Sequence, residues 1–154
     1  MSCFLPAQPP EPHNLNLFLL IGQSNMAGRG VTGSDDREPL PGIWVQAKDL
    51  SWKPAVDPLH YDKPEIVGAG MGRSFARALA AARPGASIGL IPAAFGGSAL
   101  DEWKPGAVHY TEAVRRTRVA LRDGRLRGIL WHQGEADSKD ERLARSYVQR
   151  FETL

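Results

Sequence analysis

Three short apolar runs, residues 15–21, 87–93 and 128–132, each end directly in a cluster of small and polar residues. Near-continuous hydrophobicity over so few positions is the pattern of a strand buried on both faces. Between the second and third runs and on either side of them lie stretches of helical period. Met71, Phe75, Leu79 and Ala82 recur at i, i+4, i+8 and i+11 within 70–83, stopped by Pro84-Gly85. Ala113, Val114, Thr117 and Leu121 share one face of 110–122, which Gly124 ends, and Leu143, Tyr147, Phe151 and Leu154 share one face of 138–154. Ile43-Trp44-Val45 predicts a weak edge strand, while 31–40 and 51–64 read as loop and irregular chain, with prolines throughout. Strands alternating with helices imply parallel strands joined by right-handed crossovers, hence an α/β sandwich. Ligands of such sheets sit beyond the carboxyl ends of the strands. Ser24, the Gly96-Gly97-Ser98 turn and Gln133 with Glu135 all follow strand ends, so three strands deliver small, polar or reactive residues to one edge.

Length allows one domain with a proper core. Hydrophobic residues at 42% and charged residues at 23% describe an ordinary globular chain, and the net charge of +2, with arginines spread rather than striped, gives no nucleic-acid footprint. The run 15–21 is too short to cross a bilayer, so no membrane is expected. The segment 1–14 lacks a basic start and holds Pro6, Pro9, Pro10 and Pro12. It reads as an irregular leader rather than a signal peptide, and with Cys3 as the one thiol the expectation is a cytoplasmic, reducing setting. Nothing in the pattern assigns an oligomeric state.

Competing motifs fail on context. Gly28, Gly30 and Gly33 spell a dinucleotide fingerprint, but no helix can follow through Asp35, Asp36 and Pro39. Neither Ser24 nor Ser98 lies in a G-x-S-x-G elbow. His132 and Glu135 lack the second histidine of a zinc helix. Each remaining residue also has a bland alternative: Ser24 as a helix N-cap, Gly96-Gly97 as a tight βα connection, Gln133 and Glu135 as caps of the next helix, and Trp103 and Trp131 as core.

Taken together, Gly22-Gln23-Ser24-Asn25-Met26-Ala27-Gly28, Ile91-Pro92-Ala93-Ala94-Phe95-Gly96-Gly97-Ser98 with Trp103 downstream, and Trp131-His132-Gln133-Gly134-Glu135-Ala136-Asp137 resemble the successive blocks of the carbohydrate acetylesterases of the SGNH-hydrolase superfamily. The sialate O-acetylesterase domain and related acetylxylan esterases are the nearest groups. The resemblance implies a three-layer α/β/α sandwich with a five-stranded parallel, flavodoxin-like sheet, an acetylated carbohydrate as substrate, and no metal or organic cofactor. It implies Ser24 as nucleophile, Gly97 as an oxyanion-hole N–H, Gln133 as an oxyanion-side amide and Glu135 as an orienting carboxylate. Gln23, Asn25, Trp103 and His132 are the expected substrate contacts, with Trp44 an alternative wall of the sugar site.

Such a serine needs a base within hydrogen-bond reach. The superfamily's histidine belongs to a late Asp-x-x-His block that is not found here, and His13, His60, His109 and His132 do not match it. The apolar face of the last helix runs to Leu154 without a stop. The expectation is therefore a leader, 1–14, followed by an incomplete esterase domain, 15–154, lacking a last strand and helix and leaving residues 129–131 on an exposed sheet edge. Two functional readings stand: a serine esterase acting on O-acetylated sugars of sialate or xylan type, and a catalytically incomplete fragment or carbohydrate-binding module.

Overall fold

The first strand, β1 (Leu15–Gly22), is buried at Leu17 and Leu20 and carries its neighbours on both sides, which is what its unbroken apolar run demands. The computed structural model describes residues 14–154; the expected leader, apart from Asn14, lies outside them, as do Cys3 and His13. The remaining strands are β2 (Ile43–Gln46), β3 (Trp52–Pro54), β4 (Ile88–Pro92) and β5 (Gly124–His132), in the sheet order β3-β2-β4-β1-β5. β2, β4, β1 and β5 run parallel, and β3 is antiparallel to β2. The expected α/β class holds, with one antiparallel strand added at the sheet edge.

Helix α1 (Ser24–Ala27) follows β1, α2 (Met71–Ala82) precedes β4, and α3 (Val108–Ala120) joins β4 to β5. One core lies between α1, α2 and the sheet, built on Leu20, Met26, Val45, Ala76, Ile88 and Leu90. The other lies on the α3 side around Leu17, Leu19, Ile91, Trp103 and Ala113. Each fully buried leucine or isoleucine contributes about 1.5–3 kcal/mol relative to an exposed one, so the two cores fix the three layers.

Three elements depart from expectation. β2 is interior rather than an edge, because 52–54, expected to be irregular, folds back as β3 and pairs Trp44 with Pro54 and Gln46 with Trp52. β5 starts four residues earlier than its apolar run, at Gly124, since Gly124–Leu126 pair with Leu15–Leu17 before a bulge leaves Arg127 unpaired in the ladder. The helix expected over 138–154 is broken into a 3-10 turn (Asp137–Lys139), α4 (Glu141–Arg145) and α5 (Tyr147–Phe151). Ser146 sits at the break, where its hydroxyl donates to the Arg142 carbonyl at 2.9 Å and competes with the helical ladder. As expected, β5 is a terminal strand, with Leu126 and Ile129 36% and 56% exposed.

Gly22 closes β1 because nothing larger fits. Its φ is +133°, and a Cβ there would stand 2.0 Å from the His132 carbonyl oxygen. This contact sets how closely the ends of β1 and β5 approach.

Candidate active site

Three strand ends meet at one edge through hydrogen bonds. The Gln23 N–H donates to the His132 carbonyl at 2.9 Å, and the Phe95 N–H to the Gly22 carbonyl at 2.9 Å. Gln133 Nε2 donates to the Ser98 carbonyl at 3.0 Å, which ties the end of β5 to the turn after β4. The nucleophile candidate and the two other motif blocks therefore share one assembly.

Ser24 is the first residue of α1 and half-buried, while Gln23 occupies the N-cap position without a capping side-chain bond. The N-cap alternative for Ser24 is thereby set aside. Met26 and Ala27, buried beneath, fix the turn. Among the described residues the backbone N–H groups of Ser24, Asn25 and Gly97 donate to no protein acceptor, as expected where a helix begins and where a turn bends away. Gly97 is exposed with φ +87°, a conformation that favours glycine.

The turn is fixed from below by residues that the motifs do not include. Asp62 Oδ2 accepts from the Gly96 N–H at 2.8 Å and from Arg29 Nη2 at 2.6 Å. Burial works to raise the Asp62 carboxyl, yet the Arg29 hydrogen bond and the Gly96 N–H outweigh it and hold the group below the usual carboxylate value. Arg29 and Asp62 lie 33 residues apart, so no local spacing marks them as partners.

On the β5 side the expected contacts change roles. Gln23 is only 4% exposed, and its Oε1 accepts from Gln133 Nε2 at 3.3 Å and from the Ala136 N–H at 3.1 Å. It braces the loop after β5. Gln133 Nε2 also donates to Asp137 Oδ2 at 2.7 Å, and its Oε1 accepts from the Tyr147 hydroxyl at 2.6 Å. With three acceptors in reach of two hydrogens, no Gln133 N–H remains for an oxyanion, so the expected oxyanion amide is a brace here. Asp137, 1% exposed, collects Gln133, the Leu100 N–H at 2.9 Å and Arg150 Nη2 at 2.7 Å. Burial pushes its carboxyl up, but these donors hold it below the usual value.

Trp103 is likewise corrected as a sugar contact. It is 2% exposed, donates from Nε1 to Ser98 Oγ at 3.0 Å, and packs edge-on against Trp131. Its core alternative holds, and Trp44 packs against the same core. The side chains left facing solvent are Asn25, His132 and Glu135. Asn25 Nδ2 donates to Glu135 Oε1, and His132 Nε2 lies 3.7 Å from the same oxygen. Glu135 is half-buried, and its Oε2 is buried without a hydrogen-bond partner. No hydrogen bond joins Ser24 Oγ to a histidine among the described residues, and His60 is buried, its imidazole pushed down to about 4 by burial. Among the described residues no group of three His, Cys, Asp or Glu side chains could hold a metal ion, and no helix is long and apolar enough to cross a membrane.

The family model described as "Carbohydrate esterase, sialic acid-specific acetylesterase" matches residues 14–154. The chain belongs to this family. A relative named "Probable carbohydrate esterase" in Arabidopsis thaliana is 36% identical over 166 residues, covering 96% of this chain and 64% of its own length. The crystal structure of that Arabidopsis protein superposes with a TM-score of 0.83 at 35% identity, over 92% of this chain and 66% of that one. The chain thus spans slightly less than two thirds of these esterase relatives. A carbohydrate acetylesterase from Xanthomonas citri (TM-score 0.62, 21% identity, 90% of this chain and 37% of that one) and NanS (0.65, 20%, 94% and 65%) share the fold.

Proposed function

We propose that this chain carries the nucleophile half of a serine esterase that removes O-acetyl groups from carbohydrates. What supports the reading is the pairing of a half-buried serine at the end of β1 with unengaged backbone N–H groups at Ser24 and Gly97. Ser24 Oγ attacks the acetyl carbonyl, the carbonyl oxygen becomes an oxyanion, and the two N–H groups receive it. One such donor is worth ~3–4 kcal/mol of transition-state stabilisation. Collapse of this intermediate breaks the bond to the sugar oxygen, which leaves as a hydroxyl with the proton taken from Ser24, and water then hydrolyses the acetyl-enzyme to acetate and restores the Ser24 hydroxyl.

The proton of Ser24 needs a base, and in this reading Glu135 is the carboxylate that orients it; its Oε1 is held by Asn25 and its Oε2 has no partner, which supports the assignment. In this reading the base is a histidine supplied by sequence other than the described residues, and His132 contacts the sugar at the rim. The test is acetate release from O-acetylated sialic acid and acetylated xylo-oligosaccharides by the full-length protein. Ser24→Ala is expected to lower kcat by roughly 10⁴-fold or more; equal turnover in that variant overturns the assignment. Turnover by the 154-residue chain itself, well above its Ser24→Ala control, would instead remove the fragment or binding-module alternative.

A further inference from the structure

Ser24 and Gly97, whose N–H groups the esterase reading assigns to the oxyanion, lie on different loops, and an ion pair that no motif includes links the two. The Gly28 N–H donates to the Ser24 carbonyl at 2.9 Å and closes α1. The Gly28 carbonyl in turn accepts from Arg29 Nη1 at 2.6 Å. Arg29 Nη2 donates to Asp62 Oδ2 at 2.6 Å, and the same oxygen accepts at 2.8 Å from the N–H of Gly96, the residue before Gly97. Hydrogen bonds therefore run without a gap from the serine turn to the glycine turn.

Each link is itself held. The Gly28 carbonyl also accepts from the Gly68 N–H at 3.1 Å, and Gly30 and Ala69 exchange both backbone hydrogen bonds at 3.0 and 2.9 Å, so the segment after α1 is tied to the chain leading into α2. A Cβ on Gly96 would stand 2.3 Å from Arg29 Nη2 and 2.9 Å from Asp62 Oδ2, so the pair presses directly on the backbone of the turn. The Asp62 side chain is buried and that of Arg29 mostly so, and solvent screens such a pair little. Because the two charges cancel, the turn presents no lone carboxylate to a developing negative oxygen. A guanidinium suits this double task, since its planar fork donates in two fixed directions where an ammonium is a point charge.

Resting on the esterase reading, we infer that Arg29 and Asp62 are the positioning pair of this site: they set the spacing between the Ser24 and Gly97 N–H groups and leave the glycine turn without net charge. Both act through the backbone. Donor spacing matters most once negative charge sits on the oxygen, and little while the acetyl carbonyl is still neutral. The signature of the pair is therefore a loss in kcat with KM unchanged.

Hydrolysis of 4-nitrophenyl acetate by the full-length protein, with the rate of Ser24 labelling by a fluorophosphonate read in the same samples, tests this. Arg29→Gln is expected to lower kcat at least about 100-fold with KM held within about twofold, the loss that a misplacement on the order of 1 Å produces. Arg29→Lys keeps the charge and the partner Asp62 but has no second N–H directed at the Gly28 carbonyl, and is expected to lose about tenfold in kcat. It carries the test if circular dichroism shows that Arg29→Gln does not fold. Labelling should slow by the same factor as kcat in each variant, because the phosphonyl oxygen occupies the same two N–H groups. Wild-type kcat in folded Arg29→Lys, a raised KM with kcat unchanged, or a kcat loss without a matching loss in labelling rate overturns the inference, while a labelled wild-type Ser24 keeps the esterase reading. A wild type that neither hydrolyses the ester nor takes the label removes that reading and the inference with it.

Discussion

The two holds on the Gly96-Gly97 turn are built differently. On the β4 side a single ion pair, Arg29 with Asp62, grips the Gly96 N–H, and the Asp62 side chain is 1% exposed. On the β5 side the neutral amides of Gln23 and Gln133 stand between the turn and a second ion pair, Asp137 with Arg150. A charge pair concentrates its consequence in one bond, whereas an amide chain spreads it over several. Removing a member of an ion pair is therefore expected to cost more than removing one of the neutral amides.

Asp62→Ala should show the largest stability loss, about 3 kcal/mol, because it strands a guanidinium that is 22% exposed together with the Gly96 N–H. Urea unfolding measures it. Gln23→Ala removes one acceptor from the Gln133 and Ala136 N–H groups and should cost about 1.5 kcal/mol, since Gln133 keeps Ser98 and Asp137. A larger loss in Gln23→Ala than in Asp62→Ala would invert the comparison and place the main anchor on the β5 side.

In the wild type the smallest effect is in pH, because two opposing groups on the Asp62 side nearly cancel. His60 and Asp57 are buried on the segment that leads into Asp62. Burial pushes His60 down to about 4, so the unfolded chain takes up its proton first and stability falls as pH drops from 6.5 toward 4. Burial and the charge of Asp36 push Asp57 up to about 6, so the folded chain takes up that proton first and stability rises as pH drops from 6 toward 4. The slopes oppose, each at most about 1.4 kcal/mol per pH unit. The wild type should be nearly flat between pH 6 and 4. Asp57→Asn should uncover the His60 slope and lose stability over that range, and a flat profile in that variant would remove His60 as its source. Asp137, on the β5 side, is held low, so its contribution is present above about 3.8 and is lost only below it.

What the sequence made legible follows from how local each signal is. β1, β4 and α2 were readable because unbroken apolar runs and a 3.6-residue period are written within a dozen positions. β3 was not, since Trp52-Lys53-Pro54 is three residues long and becomes a strand only by pairing with β2. The break at Ser146 left the helical period intact on both sides, so periodicity ran straight through it. In the site, motif order indicated which loops gather, but not which way amides point. Gln23 and Gln133 looked like substrate-facing polar groups, and they turn inward because their partners, 110 residues apart, satisfy each other. Arg29 and Asp62 left no trace in spacing at all. Glu135, by contrast, keeps one oxygen unclaimed.

Covalent labelling tests the central claim most directly. The full-length protein is treated with a fluorophosphonate and digested, and the peptide containing Gln23-Ser24-Asn25 is weighed by mass spectrometry. The account predicts one stoichiometric adduct on Ser24, abolished in Ser24→Ala and slowed in Glu135→Gln, which weakens the carboxylate that orients the base. An unmodified Ser24 peptide, or an adduct that settles on Ser98 or another serine instead, would contradict it.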